Sequence, residues 1–252
     1  MKKTIYIAAV ALIALACKNE TKTTVVDIRS GEGNTFSING KKIAEPSDKV
    51  VLFDGSNLDA WKGYGTDGIH DNWTIEDGAI AFTPGEEGGK NIITKNTYKN
   101  FELKLEWKIS EGGNSGIFWG VKESPEFKEA YETGPEIQVL DDDRHPDAKV
   151  ANGTHKAGSL YDMIKPADGM INPAGEWNAV QLTINHDENL GKISFNGKEA
   201  YTFPVNGEEW DAMVAKTKFA DWKGFGKYQE GHIGLQDHGD KVWYRNITIK
   251  EL

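Results

Sequence analysis

Cysteine is almost absent from this chain of 252 residues: Cys17 is the only one. A disulfide framework is therefore excluded. Positive charge is scarce too, with 29 Lys and Arg against 39 Asp and Glu and a formal net charge of −10. So acidic a chain argues against nucleic acid, or an anionic membrane face, as a partner. The apolar run Ile5–Ala16 is too short to span a bilayer by itself. Helical periodicity is nearly missing, with Glu208–Phe219 the one candidate, and neither an internal repeat nor a second compositional regime divides the chain.

What is present begins with a leader. Lys2 and Lys3 precede the apolar run, which closes on Ala14-Leu15-Ala16-Cys17. This looks like a bacterial lipoprotein signal over residues 1–17, with Cys17 as the lipidated residue; the alternative is an ordinary cleaved signal. Leu15 stands one place later than the usual lipoprotein pattern has it. The expected location is exported and lipid-anchored to the cell envelope, periplasmic or outer-membrane, with the anchor as the sole membrane contact. Losing residues 1–16 removes two positive charges and no negative ones, which takes the formal charge from −10 to −12. Residues 18–46 read as a tether and N-terminal extension, with two short strands within Val25–Ile43 around an Asn39-Gly40 turn. Residues 47–252 read as one domain, expected to work as a monomer.

Within that domain the strand signals are regular. Phe101–Ile109 places apolar residues at every odd position, the period of a strand with one buried face. Short strands follow one another with Gly, Asn, Asp and Pro between them: Val51-Leu52-Phe53, Trp73-Thr74-Ile75, Ala79–Phe82, Gly116–Val121, Asn178–Ile184, Gly191–Asn196, Ile233–Gln236 and Val242–Ile249. The expected fold is all-β, a sandwich of two antiparallel sheets.

The chemistry concentrates in Gly134–Asp147, GPEIQVLDDDRHPD. As a strand, it sends Ile137 and Val139 to a core and presents Glu136 and Gln138 on the opposite face, about 7 Å apart. Burying Glu136 is costly unless something pairs with it. Three of the six histidines, His145, His155 and His238, are candidate proton carriers, since imidazole titrates closest to neutrality. His155 has no motif around it and reads as exposed. His145 precedes Pro146, which sets an extended or turn geometry, and it divides between catalysis and orienting the loop. His238 would share a face with Gln236 were the strand to persist. His70, His186 and His232 read as structural. Tyr161 divides between a hydrogen-bonding or proton-donating site residue and a sandwich aromatic. Arg245 divides between a site carboxylate and a structural ion pair with Glu136 or Asp237. Asp141 is a candidate ligand for a divalent cation: Ca or Mg if its companions are oxygens, Mn or Zn in a mixed His and carboxylate set. No metal-loop spacing accompanies it, and no cofactor is required by the sequence.

Several segments, taken in order, resemble one family. Phe53-Asp54-Gly55-Ser56-Asn57-Leu58-Asp59-Ala60-Trp61 is similar to its opening motif, and Asn114–Phe118, Glu136–Asp141, Leu160-Tyr161, Gly175–Asn178 and Asn196-Gly197 follow. The closing stretch Gly231-His232-Ile233-Gly234-Leu235-Gln236-Asp237-His238-Gly239, with Val242-Trp243-Tyr244-Arg245-Asn246-Ile247, is its most specific signature. From about Val50 to Leu252 the chain resembles the domain of unknown function 1080 family, the 3-keto-disaccharide hydrolases, which include 3-keto-glycoside 1,2-lyases and 3-keto-2-hydroxyglucal hydratases. The resemblance implies a concanavalin A-like jelly roll, a carbohydrate substrate, and cleavage of glycosides already oxidised at C3. On that reading Glu136, His238 and His145 are the catalytic candidates, and Asn114, Gln138, Tyr161, Gln236 and Arg245 the substrate-binding ones. Two positions depart from the family pattern: Gly120 where members often carry Arg, and Ile193 where many carry His.

Two rival readings stand beside it. A laminarinase-type glycanase shares the jelly roll but needs two carboxylates on one strand face; here the second position is the amide of Gln138. A non-catalytic carbohydrate-binding lipoprotein would use Trp119 or Trp243 as stacking platforms, yet the alternation assigns both to the core side. The chain's eight Trp suit sugar stacking and core packing equally.

Overall fold

The computed structural model of the protein describes residues 36–38, 41–43, 48–85 and 90–252, the first two stretches as backbone alone. The proposed signal, Cys17, most of the tether and the Asn39-Gly40 turn lie outside the described residues. Strands β1 (Phe36–Ile38) and β2 (Lys41–Ile43) pair antiparallel as a ribbon, with Phe36 opposite Ile43. The second compact unit is residues 49–252. No helix among the described residues is long and apolar enough to cross a membrane.

That unit is a sandwich. Its larger sheet runs β13 (Lys198–Phe203), β12 (Leu190–Phe195), β11 (Asn178–Asn185), β8 (Phe101–Ile109), β15 (Val242–Glu251), β6 (Ala79–Phe82) and β5 (Trp73–Glu76), with β3 (Lys49–Phe53) also paired to β15. The smaller sheet runs β10 (Glu136–Leu140), β9 (Asn114–Val121), β14 (His232–Leu235), β7 (Ile92–Thr94) and β4 (Trp61–Gly63). Every pairing is antiparallel. The expected all-β jelly-roll sandwich is the fold observed.

Alternation explains why the sheets meet as they do. In β8 the odd residues Phe101, Leu103, Leu105, Trp107 and Ile109 are buried and the even, polar ones are half-covered. They pack against Ile117 and Trp119 of β9 and Ile137 and Val139 of β10 in one continuous core. With Ile137 and Val139 turned inward, Glu136 and Gln138 must point away from the larger sheet. They therefore face outward from the small sheet.

In β15, Val242 and Tyr244 take the core, which leaves Trp243 and Arg245 on the outer face of the larger sheet. Trp243 was expected on the core side and lies instead beneath Lys108, 4.4 Å from its ring centroid. Ile193 is fully buried in β12, so the position where the family pattern suggested His is core here. Gly120 has φ 61°, and a Cβ there would stand 3.0 Å from Tyr228 O. The backbone, rather than a side chain, is what that position contributes. Helix α1 (Gly207–Val214) stops five residues short of the expected Phe219. Thr217 ends it: its hydroxyl donates to Val214 O at 2.7 Å and accepts from Phe219 N at 3.1 Å. The residue between, Lys218, is thereby held out of the helix.

Candidate active site

A cleft of about 370 Å³ opens on the outer face of the small sheet. Glu136 and Gln138 of β10, Asn114 at the start of β9 and Gln236 just past β14 line it, and residues 218–225 supply Lys218, Phe219 and Trp222 from one side. Tyr131, Asp147, Tyr161 and His238 complete its polar and aromatic walls. Residues separated by more than a hundred positions meet here because β10 sits at the sheet edge, free to accept a further segment. The stretch 158–161 fills that edge: Gly158 N donates to Gln138 O, Gln138 N to Ser159 O, and Tyr161 N to Glu136 O, at 2.8–3.0 Å. Leu160 goes into the core and Tyr161 is delivered beside Glu136.

Glu136 is the perturbed group of the cleft. Its carboxylate lies over Gly116 so closely that a Cβ there would stand 2.2 Å from Oε1. Gln138, with its amide set so that nitrogen meets acceptors, donates to Glu136 Oε1 and to Ser115 O, both at 2.9 Å. The cleft mouth leaves part of Glu136 open, yet protein surrounds most of it. Burial pushes its pKa up to about 8; the Lys218 ammonium pulls it down and the Asp147 carboxylate pushes it further up. A carboxyl poised there exchanges protons near neutrality.

Around Glu136 five residues close a hydrogen-bonded ring. Tyr161 Oη donates to Asp147 Oδ2 at 3.0 Å. His155 has Nδ1 2.9 Å from Asp147 Oδ1 and Nε2 3.0 Å from Asp162 Oδ1. Asp162 Oδ2 accepts from Lys218 N at 2.9 Å, and Lys218 Nζ donates to Tyr161 Oη at 3.1 Å. Asp162 reaches both partners from a left-handed backbone, φ 64°. The His155 and Tyr161 rings stack at 4.1 Å. Burial pushes Asp147 up, but hydrogen bonds from His155 and Tyr161 outweigh it and hold its pKa below the usual range. Burial and the Asp147 carboxylate raise the Tyr161 phenol, so it stays protonated. Gln236 lines the cleft, 7% exposed, and its Oε1 is buried without a hydrogen-bond partner.

The candidates read from sequence thus divide. Glu136, Gln138, Asn114, Tyr161, Gln236 and His238 come together in the cleft; β14 ends at Leu235, so Gln236 and His238 reach it from a loop. His145 does not line it: Nδ1 accepts from Asp147 N at 3.2 Å and caps the turn Pro146–Lys149. His145 is an orienting residue of the loop that carries Asp147. Arg245 lies on the other sheet, bound to Glu106 Oε2 at 2.6 and 2.8 Å and stacked on Trp177. Neither Glu136 nor Asp237 is its partner. His155, expected at the surface, is buried between two carboxylates. Asp147, Asp162 and Lys218 were not singled out; the signal for Asp147 was its place in the acidic stretch, and Lys218 carried none.

Asp141, the residue proposed as a cation ligand, is engaged within the protein. It is buried and its oxygens already accept from Gly112 N, Asp143 N and Arg144. Among the described residues no three His, Cys, Asp or Glu side chains are grouped to hold a metal.

Comparison with known proteins now adds to the geometry. Residues 48–250 match the model of the 3-keto-alpha-glucoside-1,2-lyase-like domain. The chain belongs to that family. A 3-keto-disaccharide hydrolase of Bacteroides thetaiotaomicron is 37% identical to this family member over 234 residues, covering 81% of this chain and 78% of the relative. A crystal structure of a provisionally named glycosyl hydrolase from Parabacteroides distasonis is 30% identical, covers 83% of this chain and 98% of its own, and superposes with a TM-score of 0.73. A galectin-like protein of Bacillus subtilis, 14% identical, covers 81% of this chain and 94% of its own at a TM-score of 0.50, and shares the fold alone.

Proposed function

We propose that this lyase-like domain cleaves glycosides whose sugar carries a ketone at C3, by 1,2-elimination followed by addition of water. Family membership makes it an enzyme acting on sugars; the finer reading rests on Glu136. A C3 ketone acidifies the hydrogen on C2. Glu136 takes that proton, and the C2–H electrons move into the enolate, placing negative charge on O3. The Lys218 ammonium, steadied by the Tyr161 hydroxyl that accepts from it, and the amide of Asn114 are donors for that oxygen. The enolate then re-forms the ketone as the C1–O bond breaks; the leaving oxygen takes both bond electrons and a proton, for which His238 is the donor at the cleft wall. The product is an unsaturated 3-keto sugar and a free alcohol. Water adding at C1, with a proton returned to C2 by Glu136, makes the net reaction hydrolysis. The side-chain amide of Gln236, at the cleft wall, is a further contact for a sugar hydroxyl.

The observation that carries this reading is one carboxyl, lifted to about 8 and braced by an amide, on the floor of a polar and aromatic cleft. Double displacement by a carboxylate pair has less support, because the strand neighbour of Glu136 on that face is Gln138. The test is turnover of a 3-keto disaccharide in heavy water, read by loss of substrate, enone absorbance and deuterium at C2. Wild type should show all three and Glu136→Gln none. Cleavage of the unoxidised disaccharide at a comparable rate would overturn the proposal.

A further inference from the structure

The cleft does not end at its aromatic wall. Tyr131 and Trp222, ring centroids 5.9 Å apart, line it and also line a second groove of about 510 Å³, whose other walls are Phe127, Gly224 and the Glu126–Lys223 ion pair. Both volumes fall in the range of about 300–1,000 Å³ usual for small-ligand sites. Tyr131 is 40% exposed, a large aromatic left at the surface, and stands on a short turn, Ala130–Glu132. Trp222 is fixed from behind: Phe219 meets it edge-on at 5.0 Å and Phe225 at 6.2 Å, while Phe219 and Phe225 stack at 4.0 Å. Phe219 in turn leans on Tyr161, 6.3 Å away. An unbroken run of rings therefore connects the group beside Glu136 to the second groove.

We infer that Tyr131 and Trp222 form the subsite for the leaving-group sugar, the ring expelled from C1. The inference rests on the reaction proposed above and extends it to the other half of the substrate. Rigid aromatic faces suit the C–H faces of a pyranose, at little entropic cost. The charged pair Glu126 and Lys223 at the rim offers an acceptor and donors to its hydroxyls, which a flat aromatic aglycone would not use. Continuity fixes the direction: the oxidised ring sits over Glu136, and the glycosidic bond carries the second ring across the Tyr131–Trp222 wall.

The experiment compares 3-keto derivatives of a disaccharide, a methyl glucoside and a nitrophenyl glucoside with wild type, Tyr131→Ala, Trp222→Ala and Trp222→Phe. The ratio of kcat/KM for disaccharide over methyl glucoside should fall at least tenfold in Tyr131→Ala and Trp222→Ala, and largely recover in Trp222→Phe. Tyr131→Ala keeps the test sound should Trp222→Ala fail to fold, since Tyr131 stands outside the core. An unchanged ratio would overturn the subsite. So would a larger loss on the nitrophenyl glucoside than on the disaccharide, which would make it an aromatic-aglycone site. Calorimetric binding of the disaccharide and methyl compounds to Glu136→Gln, with and without Tyr131→Ala, separates the two readings. Absent turnover with a tenfold binding ratio that Tyr131→Ala abolishes would sink the chemistry and support the subsite.

Discussion

Replacing Glu136 by Gln should make the protein more stable while ending its activity. The carboxyl titrates at 4.5 in its reference state and at about 8 in the fold, chiefly because burial penalises its charge. Below about pH 4.5 both folded and unfolded chains hold the proton, and this group makes no difference. Between 4.5 and 8 the unfolded chain releases a proton that the folded protein keeps, so stability falls as pH rises; above 8 the loss is complete. Each pH step in that window costs about 1.4 kcal/mol. At pH 7 the penalty is about 3 kcal/mol, trimmed to about 2 kcal/mol because the cleft mouth admits water. Glutamine removes the ionisation and keeps the Oε1 that accepts from Gln138. Urea denaturation of both proteins from pH 4 to pH 8 checks this, with the variant expected to gain about 2 kcal/mol at pH 7, about 4–8 °C in Tm, and nothing at pH 4. A variant less stable at pH 7, or offset equally at every pH, would refute the reasoning. The kinetic face of the same shift is a wild-type kcat/KM that rises about tenfold per pH unit toward 8, as the base ionises.

Other perturbations follow the same geometry. Lys218→Met removes the cation that holds Glu136 down, so the rising limb of the pH–rate profile should move to higher pH and kcat fall about a hundredfold; an unmoved limb would separate the two groups. Gly116→Ala puts a methyl where Glu136 lies, and should cost kcat about a hundredfold with Tm within a few degrees of wild type; full activity would mean the carboxylate moves freely. His155→Leu takes the imidazole from between Asp147 Oδ1 and Asp162 Oδ1, costing about 2 kcal/mol by denaturant titration, with a raised KM as Lys218 loosens; wild-type stability and KM would show the ring to be idle.

The part of the site carried by strands was legible because a strand's period assigns faces. Ile137 and Val139 had to be buried, and Glu136 and Gln138 had to oppose them. The part carried by loops was not. Lys218 enters only because Thr217 stops a helix early, and the His155 environment depends on Asp162 adopting a left-handed backbone. Arg245 and Trp243 misled for a different reason: Ile247 and Ile249 set an odd inward parity, but the register shifts at Asn246, φ 53°, and ahead of it the core takes Val242 and Tyr244. His145 next to a proline was legible as a turn residue, and as a cap for Asp147 N that is its place.

The circuit running from Asp147 through His155, Asp162, Lys218 and Tyr161 constrains how this molecule can change its diet. Each member answers to two neighbours, so exchanging one disturbs the charge balance of the others and, through Lys218, the proton affinity at Glu136. Tyr131 and Trp222 lie outside it and hold no proton in its path. If that outer pair holds the leaving group as proposed, exchanging it should alter substrate choice while leaving the inner loop of bonds undisturbed.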